Sequence, residues 1–248
     1  MLNISALVLT YNEEANIERS LSSLSFCKEI VIVDSGSTDR TLELAARFTD
    51  KIISHRMEGF GPQRNIGIDS ASCDWILWLD ADEEISGELK ESIIGIPVDT
   101  EFAGFCLNRQ TRYLGKWIKH SGWYPQYVLR LFNRKFGRCR DVAIHESISL
   151  QGKPGRLKGD IMHYAYRDLA HHIEKINNYT SLIARQKYDK GRRFNLLKLI
   201  FAPPAEFVKK YFLKLGFLDG LPGLAIAVTS AYYNFLKEIK LYEFSRIK

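Results

Sequence analysis

Apolar runs alternate with segments of helical periodicity over the first hundred residues of the chain. Four runs have the length and composition of buried strands; they are residues 4–9, 29–34, 51–54 and 75–80. Between them, apolar residues recur at helical spacing, as at Ile17, Leu21 and Leu24. Such alternation is typical of β-α units that build a mostly parallel sheet, so the sequence predicts an α/β fold.

The pattern changes after residue 103. Strand-like runs at 104–113 and 126–132 flank a loop, 114–125, that is rich in Gly, Lys and aromatic residues. A helix is predicted over 168–190, where apolar residues again lie on one face. We therefore predict an α/β domain over residues 1–167 and a helical, amphipathic region over residues 168–248. The aromatic loop is interpreted either as an acceptor-binding wall or as a small satellite core.

Two apolar segments, 196–215 and 217–236, occupy the C-terminal region and are interrupted by Pro203 and Pro204 and by the stretch 219–223. The longest run without charge, residues 220–236, is shorter than the roughly 20 apolar residues that a spanning helix needs. An interfacial helical hairpin is the favoured interpretation. Helices that pack against the domain or a second subunit, with a solvated basic face, remain the alternative.

Charge is distributed unevenly, since residues 185–248 contain 13 Lys or Arg against 5 Asp or Glu. A basic, aromatic-rich tail favours an anionic membrane surface or an anionic acceptor as partner. Nucleic acid is disfavoured because no nucleic-acid-binding motif accompanies the charge. The four cysteines are far apart in sequence, which indicates a reducing compartment. The N-terminal residues are interpreted as a first strand and not as a signal peptide.

Polar clusters follow three of the predicted strands, at residues 10–14, 34–39 and 80–84. In an open α/β sheet, ligands bind beyond the carboxyl ends of the strands, so these clusters are expected to share one site. Asp80 and Asp82 are oxygen ligands of the kind that Mg²⁺ or Mn²⁺ uses together with substrate phosphates. An acidic pair alone is often only solvated, and the Ser, Thr and Asp residues after Asp34 would also serve as a helix cap.

These motifs together resemble the family 2 inverting glycosyltransferases of the GT-A fold. The matching segments are residues 9–14, 31–41, 63–67 and 75–83, in the family's order. The resemblance implies a UDP-sugar donor and a divalent metal, Mg²⁺ or Mn²⁺. By this resemblance, Thr10, Tyr11 and Glu13 would line the nucleotide pocket, and Asp34 would contact uracil or ribose. Arg64 would contact the base or diphosphate. Asp80 would lie near the ribose or sugar, and Asp82 would bind the metal.

A narrower likeness, at residues 129–132, 144–146, 163–166 and 216–220, is to bacterial lipopolysaccharide core glucosyltransferases. It implies transfer of glucose to an inner-core acceptor, with Glu146 as general base, at the inner face of the cytoplasmic membrane. His145 would orient Glu146 or be a plain strand residue. The Gln-x-x-Arg-Trp motif of processive synthases is absent, which favours transfer of a single sugar.

Other functions stay open at this stage. Within the family, the acceptor would be polyprenyl phosphate, a capsule or a protein glycan. A sugar-phosphate nucleotidyltransferase also combines an α/β sheet with acidic metal ligands, but its glycine- and lysine-rich N-terminal loop is missing. A binding protein that keeps the fold without turnover is the third possibility. P-loop and dinucleotide-binding Rossmann proteins are disfavoured because their glycine-rich loops are absent.

Overall fold

The computed structural model describes residues 2–56, 60–139 and 148–246, and these form two compact units. The first unit comprises residues up to Arg109 together with Gln126–His163, and the second comprises Gln110–Pro125 and the residues from Tyr164 onward. The domain division predicted after residue 167 remains a prediction.

A mixed sheet organises the first unit, in the order β3-β2-β1-β4-β8-β6-β11-β5. Its strands are β1 (Ile4–Thr10), β2 (Glu29–Asp34), β3 (Ile52–Ser54), β4 (Trp75–Asp80), β5 (Glu83–Ile85), β6 (Gly104–Tyr113), β8 (Tyr127–Asn133) and β11 (Pro154–His163). The short β7 (Lys116–Trp117) pairs with the end of β6, and β9 (Gly137–Cys139) pairs with β10 (Ile148–Leu150). Strands β3, β2, β1 and β4 are parallel, which confirms the predicted α/β class.

Apolar clusters cover both faces of β1, as the run of apolar residues in a central parallel strand requires. Alternation along the strand sends Ile4, Ala6 and Val8 into one cluster and Leu7 into the other. The helices of this unit are α1 (Ile17–Ser23), α2 (Thr41–Ala45), α3 (Phe60–Ser70) and α4 (Gly87–Ile94). The apolar face of α1 is fully buried in the first cluster, as its helical spacing predicted.

Two helices, α3 and α4, and five strands, β5, β7, β9, β10 and β11, have no counterpart in the sequence predictions. Helix α3 contains Gly67, which weakens helical propensity. A Cβ at Gly67 would lie 2.0 Å from Leu7 Cδ1, so glycine is required for the helix to approach β1. Strand β11 contains Gly159 at φ +85°, and a Cβ there would lie 2.3 Å from the Leu89 nitrogen of α4. In α3 and β11, tertiary packing therefore requires glycines that weaken the sequence signal of the element.

The second unit is mainly helical, with α5 (Leu169–Asp189), α6 (Leu196–Val208) and α7 (Leu221–Arg246). Helix α5 agrees with its prediction and is capped by Asp168, which accepts a hydrogen bond from the His171 amide at 2.8 Å. Pro203 and Pro204 lie inside α6 and do not end it, contrary to their interpretation as punctuation. The helix continues through a π-helical turn, Lys209–Leu213. In the described parts of the chain, no helix combines the length and apolar content needed to cross a membrane.

Glu29, at the start of β2, connects three neighbouring segments. Its carboxylate accepts hydrogen bonds from Ser5 of β1, from Lys51, and from Ser72 through the amide at 2.6 Å and the hydroxyl at 2.7 Å. Burial raises the pKa of Glu29, but these donors outweigh burial and lower the pKa from 4.5 to about 2. Ionised Glu29 therefore stabilises the folded state.

We expect Glu29→Gln to lower the free energy of unfolding by about 2 kcal/mol at pH 7. Because the folded pKa is depressed, the contribution of Glu29 is present in full above pH 4.5 and is lost as pH falls toward 2. Urea unfolding at pH 7 and pH 3 should therefore show a difference that shrinks by about half at pH 3. Glu43→Gln, at an exposed ion pair, is the control. An equal difference at both pH values would contradict this account.

Candidate active site

The polar segments that follow β1, β2 and β4 end at one edge of the sheet. Thr10 is paired with Asp34, and Leu9 is paired with Asp80. The three carboxyl ends are thus adjacent, at the edge where ligands bind in open α/β sheets. This register brings together Leu9 and Asp80, which are 71 positions apart in sequence.

The loops after β1 and β2 hold each other by hydrogen bonds. The buried carboxylate of Asp34 accepts bonds from the amides of Gly36 at 2.8 Å and Ser37 at 2.9 Å, and from the Ser37 hydroxyl. Asn12, at φ +53°, donates its amide to Ser37 Oγ at 2.9 Å and accepts from the Thr38 amide at 2.8 Å. Asp34 therefore shapes the loop as a cap would, and a nucleotide would meet a preformed surface.

The predicted nucleotide-binding residues of the first loop lie at this edge in different environments. Thr10 is buried, and its hydroxyl has no hydrogen-bond partner among the described residues. Tyr11 is 57% exposed, which leaves its ring available for stacking. Glu13 donates its amide to Thr41 Oγ1 at 2.8 Å and accepts from Asn16 Nδ2 at 2.7 Å. Their roles toward a nucleotide remain predictions.

Arg130 lies on β8 and joins two carboxylates of the β4–β5 turn. Its Nη2 is 2.8 Å from Asp80 Oδ2 and 2.9 Å from Glu83 Oε1. Glu83 is 1% exposed, also accepts from the Asp80 amide at 3.0 Å, and lies 3.4 Å from Arg109 Nη1. These bonds fix the backbone of residues 80–84, the acidic turn.

Trp78 supports the same cluster from within β4. The guanidinium carbon of Arg64 lies 3.4 Å from the centroid of the Trp78 ring, and that of Arg130 lies 4.3 Å away. The indole Nε1 donates to Asp80 Oδ1 at 3.0 Å. Cation–π contacts of this kind favour arginines whose charge is partly desolvated. Arg64, the predicted contact to the base or diphosphate, thus lies beside the acidic turn, with its Nη2 3.9 Å from Asp80 Oδ1.

The pKa shifts follow this arrangement. Burial raises the pKa of Asp80, but Arg130 and Arg64 outweigh burial and hold it well below its ordinary value. Burial and the neighbouring Asp80 raise the pKa of Glu83, although Arg130 opposes them. Burial lowers the pKa of Arg64 to about 10, against the opposing effect of Asp80, so Arg64 stays charged at neutral pH. The site therefore keeps a cation beside the acidic turn.

Asp80 and Asp82 differ in their neighbours. Both carboxylate oxygens of Asp80 accept hydrogen bonds, one from Trp78 and the other from Arg130. Asp82 Oδ2 lies 3.4 Å from His163 Nε2 of β11, and both side chains are partly exposed. The structure thus brings His163 next to the predicted metal ligand.

Asp82 is the predicted ligand of a divalent metal ion. No cluster of three or more His, Cys, Asp and Glu side chains suited to a metal occurs within the described residues. Mg²⁺ and Mn²⁺ are commonly held by one or two carboxylates together with substrate phosphates, so a site built on Asp82 satisfies their chemistry. The metal role of Asp82 and the ribose or sugar role of Asp80 remain predictions.

The predicted general base, Glu146, and its neighbour His145 lie outside the described residues. Three further members of the site, Glu83, Arg109 and Arg130, were not among the predicted site residues. A signal for Arg130 does exist in the sequence. An arginine between Leu129 and Leu131 in an apolar strand needs a carboxylate partner, since buried arginines are almost always paired.

Known proteins resemble this chain over most of its length. Residues 5–149 match the family model described as Glycosyl transferase family 2. The lipopolysaccharide core biosynthesis glycosyltransferase LpsC of Rhizobium meliloti (strain 1021) is 33% identical over 261 residues, which cover 100% of this chain and 94% of LpsC. An uncharacterized glycosyltransferase of Rickettsia typhi is 29% identical over 266 residues, covering 99% of this chain and 88% of its own.

One solved structure extends the comparison of folds. TarS 1-349 of S. aureus, crystallised in complex with UDP-GlcNAc, aligns with a TM-score of 0.50 over 99% of this chain and 92% of that chain. Its sequence identity to this chain is 17%, so the likeness concerns the fold alone. The predicted fold class, a mostly parallel sheet flanked by helices with a helical C-terminal extension, is confirmed.

Proposed function

This chain belongs to glycosyl transferase family 2, and from that premise we propose that it transfers one glucose from a UDP-sugar to an inner-core acceptor of lipopolysaccharide. The observation that carries the proposal is the alignment of Thr10, Asp34 and Asp80 at one sheet edge, with Asp82 directly beyond it. The acceptor class is supported by the full-length similarity to LpsC, whose name assigns it to lipopolysaccharide core biosynthesis.

The residues at the edge have distinct proposed roles. Thr10, Tyr11, Glu13 and Asp34 bind the nucleoside, and Arg64 reaches the base or the diphosphate. Asp82 would hold a divalent ion, Mg²⁺ or Mn²⁺. When bound, that ion stabilises the negative charge that develops on the departing UDP.

Inversion requires a base on the acceptor side. Glu146 removes the proton of the acceptor hydroxyl as its oxygen attacks the anomeric carbon and the bond to the UDP oxygen breaks. Two buried arginines, Arg64 and Arg130, place positive charge beside the acidic turn and offset part of its negative charge.

The test of this function is transfer itself. Purified protein is incubated with Mn²⁺, a panel of UDP-sugars and truncated lipopolysaccharide, and the product is identified by mass spectrometry. We expect addition of one hexose, and we expect Glu146→Gln to lower kcat about 10²–10⁴-fold, the usual contribution of a general base. Glu84→Gln, in the acidic turn but with a different neighbour, Arg19, is the matched control. Unchanged kcat in Glu146→Gln would remove that residue from the proposal.

The acceptor has an alternative within the family. Polyprenyl phosphate, a capsule or a protein glycan would receive the sugar through the same site. The residues proposed to bind the UDP-sugar do not depend on the identity of the acceptor. Membranes incubated with radiolabelled UDP-glucose separate the two cases, since the label appears either in core oligosaccharide or in a polyprenyl-linked product. Label confined to the polyprenyl fraction would overturn the lipopolysaccharide acceptor.

We further propose that the second unit binds the inner face of the cytoplasmic membrane. No residue of α6 is buried, and its exposed side chains include Leu197 and Phe201, at 65% and 62%. Exposed apolar residues beside lysines such as Lys198 suit the interface of an anionic bilayer. The protein is expected to sediment with phosphatidylglycerol vesicles and not with phosphatidylcholine vesicles; protein left in the supernatant of both would exclude this role.

A further inference from the structure

A strongly basic pocket of about 590 Å³ lies within the second unit, on the aromatic loop and the end of α6. Its polar lining is formed by Lys119, His120, Tyr124, Lys209, Lys210 and Lys214. Among the described residues that line it, none is an Asp or a Glu. A concave site that gathers four lysines without a lining carboxylate attracts an anion.

The loop side of the pocket is held in place by Asp219. This buried carboxylate accepts hydrogen bonds from the amides of Lys119 at 3.1 Å and His120 at 3.0 Å, and from the Ser121 hydroxyl at 3.1 Å. The Ser121 amide donates to the Lys214 carbonyl at 2.9 Å. The lysines of the loop and of the helix end are therefore presented by a backbone that is fixed at both sides.

Gly122 lies between the side chains of Lys210 and Lys214. Gly122 has φ +69°, and a Cβ there would lie 3.3 Å from Lys210 Nζ and 3.4 Å from Lys214 Cγ. A side chain at this position would fill the space between the two lysines. The glycine thus serves both the left-handed turn and the opening of the pocket.

The positive charge of the pocket is only partly balanced. Lys209 lies 3.4 Å from Glu206, whereas Lys119, Lys210 and Lys214 form no ion pair with the described residues. Burial lowers the pKa of Lys210, although Glu206 opposes that effect. Bringing these ammonium groups close together costs electrostatic free energy, which an anionic ligand would recover.

We propose that this pocket binds a phosphomonoester on the sugar of the acceptor. Lysine ammonium groups bind phosphate as point charges, and a phosphomonoester carries about two negative charges at neutral pH. The pocket also has Tyr124, Pro125 and Leu213 in its lining, which suit the ring carbons of a sugar. This inference rests on the proposed function, because it names the chemical class of the acceptor.

Glucose 6-phosphate is the probe, measured against glucose by isothermal titration calorimetry with the full chain. We expect binding of glucose 6-phosphate only. The double substitution Lys119→Gln and Lys214→Gln should weaken it at least about tenfold, because it removes two charge-assisted hydrogen bonds to the phosphate. Lys190→Gln, at an exposed lysine just after α5 and outside the pocket, should leave the affinity unchanged. Equal loss in Lys190→Gln, or no binding by the unsubstituted protein, would overturn the proposal.

Two further measurements separate the sources of phosphate. With a phosphorylated acceptor, the double variant should raise KM for acceptor about tenfold with kcat unchanged, and it should behave as wild type with the dephosphorylated acceptor. If the double variant loses phosphatidylglycerol vesicle binding but retains glucose 6-phosphate binding, the pocket binds lipid head groups and the proposal fails. If wild type does not bind UDP, the proposed function fails but the pocket proposal is still tested, because the glucose 6-phosphate measurement requires no donor.

Discussion

Asp82→Asn is expected to lower kcat/KM for sugar transfer about 10²–10³-fold, because a bound metal contributes several kcal/mol and each 1.36 kcal/mol is tenfold in rate. The substitution keeps the shape of the side chain and removes its charge. Since Asp82 is partly exposed and lies beside His163, an isosteric change at this position should retain the fold. Activity of wild type should fall equally on addition of EDTA and return with Mn²⁺.

Thermal unfolding gives the same prediction a readout that does not depend on turnover. At 100 times its dissociation constant, UDP with Mn²⁺ should stabilise wild type by about 2.7 kcal/mol, which raises Tm by roughly 5–10 °C for a chain of this size. Asp82→Asn should show little of that shift. Asp69→Asn, at an exposed ion pair with Arg138, is the matched control and should respond as wild type. A full metal-dependent shift in Asp82→Asn would assign the metal to other residues.

The strands that end in Asp34 and Asp80 were predicted with the correct bounds, because an apolar run followed at once by acidic and small polar residues defines its own end. The parallel register that aligns Thr10, Asp34 and Asp80 follows from the β-α pattern. Local sequence was sufficient to predict this edge of the sheet because each of its strands carries its own signal.

Contacts made across the sheet could not be predicted in the same way. Arg130 and Glu83 are 47 residues apart, and only the placement of β8 beside β4 brings them together. His163 approaches Asp82 because β11 pairs with β5, and the sequence predicted neither strand. Helix α6 passes through Pro203 and Pro204, although proline disrupts most helix interiors. Long-range pairing and tertiary context decide each of these features.

The buried arginine leads to the second prediction. Arg130→Met is expected to lower the free energy of unfolding by about 3 kcal/mol, because breaking a buried ion pair leaves charges without compensation. Arg130 is 4% exposed and bonds both Asp80 and Glu83, while Arg109 remains as a weaker partner of Glu83 at 3.4 Å. Methionine keeps much of the side-chain volume, so lost packing contributes little to the expected loss.

Urea unfolding measures this loss, and Arg138→Met is the matched control. Arg138 pairs with Asp69 on the surface, with side chains 59% and 58% exposed, so its removal should cost less than about 1 kcal/mol. Adding Glu83→Gln to Arg130→Met should restore part of the stability, because the uncompensated carboxylate is then neutral. If the double variant is no more stable than Arg130→Met, the loss arises from packing around Trp78 and not from charge.

Since the same bonds fix the turn that presents Asp82, Arg130→Met should also lower the affinity for UDP with Mn²⁺ under conditions where it remains folded.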